Sequence, residues 1–238
     1  MSGEDTDATV RVVRGRAATR EADRTATERL REATGETGEP AFRAWTPHRL
    51  VAFGRRDARA EGYDRAREAA ESRGYPTVER SVGGRAVAYT GRTVAFASAV
   101  PSGEGRTGMD DRYETATTAV VRALRGLGVA ARRGEPPESF CPGAHSVQAH
   151  GKICGIAQRV RRDAALVSGV VVVADHEELA AVLGPVYEAL DVPFDPGSVG
   201  SVARGGGPAD SERVCRALED AFVGDAERRV EDVESVAG

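Results

Sequence analysis

The chain has 238 residues, 40% hydrophobic but only 5% aromatic, so it can bury a sizeable core built mainly from Val, Ala and Leu. Formal charge is −4 with acids and bases interleaved along the whole length, which argues against a nucleic-acid binder, since such a protein gathers a basic face. No apolar run approaches the ~18 residues of a membrane span, and the opening MSGEDTDATV lacks the basic and apolar parts of a signal peptide. With three cysteines, too few for a disulfide framework, the expected location is the cytoplasm, away from the membrane. Abundant Asp and Glu, many Ala and Val, and almost no Lys give a salt-adapted or GC-rich composition.

In chain order, residues 1–9 read as a flexible polar start and 10–13 as an edge strand. A charged helix over 19–33 is broken by GETGEP. Residues 41–54 hold two short apolar runs around Pro47, predicting two strands, and 64–72 a helix ended by Gly74 and Pro76. Residues 86–89 and 94–100 predict a hairpin around Thr90 and Gly91. Tyr113, Ala116, Val120, Val121 and Leu124 at helical spacing predict an amphipathic helix over 110–127, and a strand begins at 129–132.

ESFCPGAHSVQAHGKICGIAQRV follows, then a buried strand at 165–175. Two short helices are expected at 176–183 and 185–190, a loop at 191–210, and a closing helix at 211–223 capped by Ser211. Residues 224–238 read as a solvated acidic tail. The pattern predicts one α/β (α+β) domain over 10–223, with a mostly antiparallel sheet flanked by helices.

Which residues could carry chemistry? No G-x-G-x-x-G follows a strand, and Gly151–Lys152 lacks both the distant glycine and the Ser or Thr of a phosphate-binding loop. Lys152 stands out because every other Lys/Arg position is Arg. A compact ammonium retained there points to a site that needs a point charge and not a guanidinium fork. Cys141, His145, His150 and Cys154 lie close together, but C-x3-H-x4-H-x3-C is not a usual zinc pattern, and no metal is expected. Cys141 precedes Pro142–Gly143, a pair that fixes a turn. Two readings of it stand: a nucleophile able to attack a thioester, or a small buried hydrophobe. Cys154 and Cys215 read as core, and His145 as structural or, alternatively, a proton acceptor.

The stretch Gly151-Lys152-Ile153-Cys154-Gly155-Ile156-Ala157-Gln158-Arg159 resembles the central motif of the lipoate–protein ligase A and octanoyltransferase family. Gly83-Gly84-Arg85-Ala86-Val87 resembles that family's glycine-rich turn, 42–54 its early Trp-containing strand, and LGPVYEALDVP with VGSV its later helix and loop. The resemblance implies a fold similar to the biotin/lipoate–protein ligase catalytic domain. It also implies that Lys152 contacts the acyl carbonyl, with Arg80, Gly83, Gly84, Arg85, Gly151, Gly155 and Gln158 around the substrate.

Ser139-Phe140-Cys141-Pro142-Gly143 is similar to the octanoyltransferase and amidotransferase branch, in which the cysteine carries the acyl group as a thioester. That branch implies an acyltransferase with no cofactor. Its acceptors would be lipoyl-domain proteins such as glycine cleavage H protein or 2-oxoacid dehydrogenase E2, and its donor such a protein or acyl carrier protein. Two further readings stay open: an ATP- and Mg-dependent lipoate–protein ligase with Lys152 at the lipoyl-adenylate, and a non-catalytic lipoyl-domain binder or accessory protein. The chain departs from the family pattern at Glu79 before Arg80, at Val82 before the glycines, at Tyr89 where His is common, and at Ser168–Gly169 in place of His-Gly.

Overall fold

The computed structural model describes residues 9–80, 84–102 and 108–237. The elements run β1 (Thr9–Arg14), α1 (Arg20–Thr37), β2 (Ala41–Trp45), β3 (Leu50–Phe53), α2 (Tyr63–Glu71), β4 (Thr77–Glu79), β5 (Val87–Tyr89) and β6 (Thr93–Pro101). Then come α3 (Met109–Gly126), β7 (Arg132–Arg133), β8 (Ser146–Gln148), β9 (Lys152–Val160), β10 (Ala164–Val172), α4 (His176–Ala189), α5 (Ser211–Val223), β11 (Glu227–Asp232) and α6 (Val233–Ala237).

An eight-stranded sheet in the order β11-β1-β2-β6-β10-β9-β8-β7 forms the spine. Its pairs are antiparallel from β2 onward, while β1 runs parallel to both β2 and β11. Strand alternation divides the side chains between two cores. Val12, Phe42 and Phe96 pack with Val120, Leu124, Val214 and Leu218 of α3 and α5. Their sequence neighbours Val13, Ala41 and Ala97 pack with Ala26 and Leu30 of α1 and Val233 and Val236 of α6. The small side chains on the second face let α1 lie close to the sheet.

A separate three-stranded sheet, β4-β3-β5, packs with α2 and α4 into a third core that includes Phe53, Tyr75, Phe140, Leu183 and Tyr187. Val172 of β10 and Val199 join that core too, so the two sheets meet there. No helix among the described residues is long and apolar enough to cross a membrane.

The α/β class with a mostly antiparallel sheet agrees with the sequence reading, and five local expectations need correction. The strands at 86–89 and 94–100 are not a hairpin: β5 pairs with β3 and β6 with β2 and β10, because each finds its apolar partners in a different sheet. Residues 176–190 form one helix with Pro185 inside it. Pro185 leaves the carbonyl of exposed Ala181 without its helical donor, while Leu179, Val182, Leu183, Val186 and Tyr187 keep a continuous buried stripe across it. Asp210, not Ser211, caps α5, accepting from the amides of Glu212 and Arg213.

The strand at 10–13 is not an edge, and the segment 224–238 is not a solvated tail, for the same reason. Residues 227–232 form β11 in register with all of β1, and Val233 and Val236 are buried behind it. The bidentate contact of Arg11 with Glu231 (3.0 and 2.6 Å) carries charges that looked like a solvated run in the sequence.

Candidate active site

The site lies at the junction of the two sheets. Arg80 follows β4, its amide donating to the Phe53 carbonyl. Gly54 at the end of β3 abuts the turn before β5 so closely that a Cβ there would stand 1.9 Å from the Gly84 carbonyl oxygen. The turn is further held by Asp57, which is fully buried and accepts from the Gly54 amide and from Arg85 (3.1 Å each). Gly84 has φ +97°, and a Cβ on it would reach 2.9 Å from Cys141 Sγ. Glycine there brings the turn against the thiol. Gly83, expected beside it, lies outside the described residues.

Cys141 sits in the loop between β7 and β8, half-buried, with φ +42°. A non-glycine residue in that region is strained, and Glu138 of the same connection and His150 of the turn between β8 and β9 share the feature. The surrounding bonds hold the strain in place. The Cys141 amide donates to Tyr187 Oη (2.6 Å), and that hydroxyl donates onward to the Ala86 carbonyl (3.0 Å), tying the loop to β5. Arg80 Nη2 donates to Cys141 Sγ (3.4 Å) and to the Arg85 carbonyl (2.5 Å), while its buried Nε has no partner among the described residues. Burial pulls the Arg80 pKa down, but Cys141, Tyr89 and Tyr187 outweigh it and hold it above its ordinary value. Burial raises the Tyr89 hydroxyl, which is electrostatically coupled to both Arg80 and Cys141.

Lys152 opens β9 and is fully buried. Its three donors are committed: 3.0 Å to each carboxylate oxygen of Glu135 and 2.8 Å to the Cys141 carbonyl. Its ammonium also lies 5.2 Å from the Phe140 ring centre. Gly151 (φ +115°) precedes it and lies against Ser198–Gly200, where a Cβ would come within 2.6 Å of the Gly200 amide. Gly155 faces the same lysine, for a Cβ there would be 3.5 Å from Lys152 Cε. The structure therefore brings Arg80, Gly84, Arg85, Cys141, Gly151, Lys152 and Gly155 into one neighbourhood. Gln158 is not tied into it: its side chain bonds the Met109 carbonyl and Arg112, fastening β9 to the start of α3.

The other thiols and histidines part company with Cys141. Burial pushes the Cys154 and Cys215 thiols up to about 12, so neither supplies a thiolate near neutral pH. His145 stacks face to face on Tyr113, with ring centres 3.6 Å apart, and His150 is exposed. Three residues of the site escaped the sequence reading as functional positions: Glu135, Tyr187 and Asp57. Glu135 stands in GEPPES, which reads as a loop, and Tyr187 reads as one apolar residue of a helix. Only the fold shows that Tyr187 accepts from the Cys141 amide and that Glu135 pairs with Lys152.

The lipoyl protein ligase A/B catalytic domain family matches residues 22–222, and the chain belongs to that family. Its relatives include the octanoyltransferase LipM of Kyrpidia tusciae, 32% identical over 192 residues, which span 71% of this chain and 70% of that protein. The octanoyl-GcvH:protein N-octanoyltransferase of the same organism is 35% identical over 123 residues, 51% of this chain and 42% of that relative, so the match spans less than half of its length. Among solved structures, a lipoate-protein ligase A bound with ATP superposes with a TM-score of 0.77 at 23% identity, covering 96% of this chain and 92% of that one. At that identity the likeness is one of fold.

Proposed function

We propose that the chain moves an octanoyl or lipoyl group to the lysine of a lipoyl-domain protein through a thioester on Cys141. The observation that carries this reading is the placement of Cys141: a half-buried thiol on a strained turn, with a guanidinium 3.4 Å from its sulfur, while the other two thiols are held protonated by burial. The names of the relatives support the acyl group and point to a glycine-cleavage-H-type protein as donor. A 2-oxoacid dehydrogenase E2 domain is the matching acceptor, and acyl carrier protein an alternative donor.

In the first step the Cys141 thiolate attacks the acyl carbonyl of the donor and an S–C bond forms. The tetrahedral oxyanion collapses, the donor's C–N or C–S bond breaks, and its lysine amine or carrier thiol leaves with a proton taken from solvent. In the second step the acceptor lysine amine attacks the thioester, an amide N–C bond forms, the Cys141 thiolate is expelled, and the amine's proton passes to solvent. The developing oxyanion lies between Arg80 and Lys152, the two cations that touch Cys141. Arg80 offers its unpartnered Nε, and Lys152 exchanges one of its Glu135 bonds for the acyl oxygen. Gly84 and Arg85 border the path of the acyl chain.

A ligase would need an adenylate phosphate resting on Lys152. That phosphate, like the acyl oxyanion, would take the place of a Glu135 bond on Lys152; the thiol beside Arg80 has no part in such a reaction, and no step is routed through nucleotide. The test is intact-mass spectrometry after incubation with octanoyl-loaded donor protein and no ATP, comparing the protein with Cys141→Ser. An octanoyl adduct lost on hydroxylamine treatment and absent from the Ser variant is expected. ATP-dependent lipoylation that persists in the Ser variant would sink the reading in favour of a ligase.

A further inference from the structure

Glu135 is the most heavily engaged polar group near the site, and the acyl-transfer scheme above gives it no role of its own. Its carboxylate accepts both Lys152 contacts, the hydroxyls of Ser139 and Ser146, and the Gly143 amide (3.3 Å). Those partners come from both flanks of Cys141 and from the first residue of β9. A carboxylate offers about four lone-pair sites, so Glu135 is saturated. The consequence for the loop is complete. The Cys141 amide goes to Tyr187, Pro142 has no N–H, the Gly143 amide goes to Glu135, and the Cys141 carbonyl goes to Lys152. Three polar backbone groups of the turn are thus held, directly or through one lysine, by one carboxylate or one tyrosine.

Charge leads to the same residue. Lys152 is fully buried, and a buried charge without a counter-ion is strongly destabilising. Among the described residues Glu135 is its ion-pair partner, itself about a quarter exposed. Solvent therefore reaches the carboxylate but not the ammonium, and a carboxylate that keeps its serine bonds can yield one lysine bond at little cost.

We infer that Glu135 is a positioning residue: it holds the Lys152 ammonium aimed at the Cys141 carbonyl, clamps both flanks of the Cys141 turn, and gives up one lysine bond when the acyl oxygen arrives. This rests on the thioester reading for the last step and on the geometry alone for the first two.

The test is a double-mutant cycle with Glu135→Gln, which keeps the shape and one acceptor oxygen but removes the charge and replaces the other oxygen with an N–H donor, and Lys152→Met. If Glu135 acts through Lys152, Glu135→Gln slows Cys141 acylation by about tenfold or more at saturating donor. KM for the donor should hold within about twofold. In the Lys152→Met background the same change should cost less than about twofold, because the group it positions is gone. A merely structural carboxylate would instead give losses that multiply. Should Glu135→Gln alone fail to fold, the double variant leaves no buried charge unpaired and is compared with Lys152→Met by itself.

The same cycle is also read as the rate of iodoacetamide alkylation at Cys141, located by peptide mass, which needs no acyl donor. If no acyl adduct forms but alkylation shows the coupling, the thioester reading fails and the positioning role stands. Wild-type rates in Glu135→Gln, or multiplicative losses in both readouts, would overturn the positioning role.

Discussion

Among the described residues two cations are completely buried, Arg43 and Lys152, and they are built for different ends. Arg43 lies on β2 beneath α1, bonded to the Asp23 side chain, the Asp23 and Gly15 carbonyls and Thr27, with its guanidinium 4.0 Å from the Trp45 ring centre. Asp23 is sealed with it, and a second Asp23 oxygen faces His48 at 3.6 Å. Lys152 has one carboxylate that solvent still reaches, and its remaining bond goes to the backbone of a strained cysteine. Arg43 spreads its planar fork over a helix, a strand and a turn, so nothing in that pair can move alone. Lys152 concentrates its charge at one point and can trade a partner. Buried charge is a brace where both partners are sealed, and a working part where one of them stays within reach of water.

Breaking the brace should have the largest effect on stability. Arg43→Met strands Asp23 in the core and is expected to cost about 3–5 kcal/mol, read by urea unfolding. The acylation rate per folded molecule should stay near wild type, and a parallel loss of rate in folded protein would erase the distinction between the two pairs. Burial pulls the Arg43 pKa below the ordinary arginine value while Asp23 opposes it, so Asp23→Asn should be comparably destabilising.

Arg80→Met tests the opposite corner. It removes the donor on Cys141 Sγ and should lower the acylation rate about 10- to 100-fold, with the unfolding midpoint shifting far less than for Arg43→Met. A stability loss as large as that of Arg43→Met would make Arg80 a brace as well.

The smallest effect belongs to the surface-side pair of Arg11 and Glu231. Arg11's hydrogen bonds hold the Glu231 carboxyl below its ordinary range, against a weaker opposing pull from burial. Its stabilising contribution is therefore present above the usual glutamate value and is lost as pH falls through the lowered folded one. Hydrogen exchange of residues 227–232 should speed up over that acid window in the wild type. Glu231→Gln should flatten this dependence, and an unchanged profile in that variant would remove the pair from the attachment of β11.

How much of this was legible beforehand follows from the range of each interaction. The helices over α1, α3 and α5 were readable because their apolar spacing and breakers are local, and the single lysine announced itself by composition. Cys141 was readable from its Pro-Gly turn and Arg80 from the motif resemblance. Glu135 was not, because a glutamate among prolines looks like any solvated loop residue until β9 brings Lys152 against it. The parallel pairing of β11 with β1 joins residues more than 200 positions apart, and no local pattern reports such a contact.

By itself the sequence determined the class of fold and most of the helices, and it singled out Cys141 and Lys152 as candidate site residues, because propensity, turn chemistry and composition act over a few positions. Tertiary structure alone decided that β5 and β6 part into different sheets and that residues 224–238 are not a tail. It also decided that the lysine's charge is answered by Glu135 and the cysteine's sulfur by Arg80. Those choices depend on which apolar faces find each other and which buried charges must be paired, and both are settled only when distant segments meet.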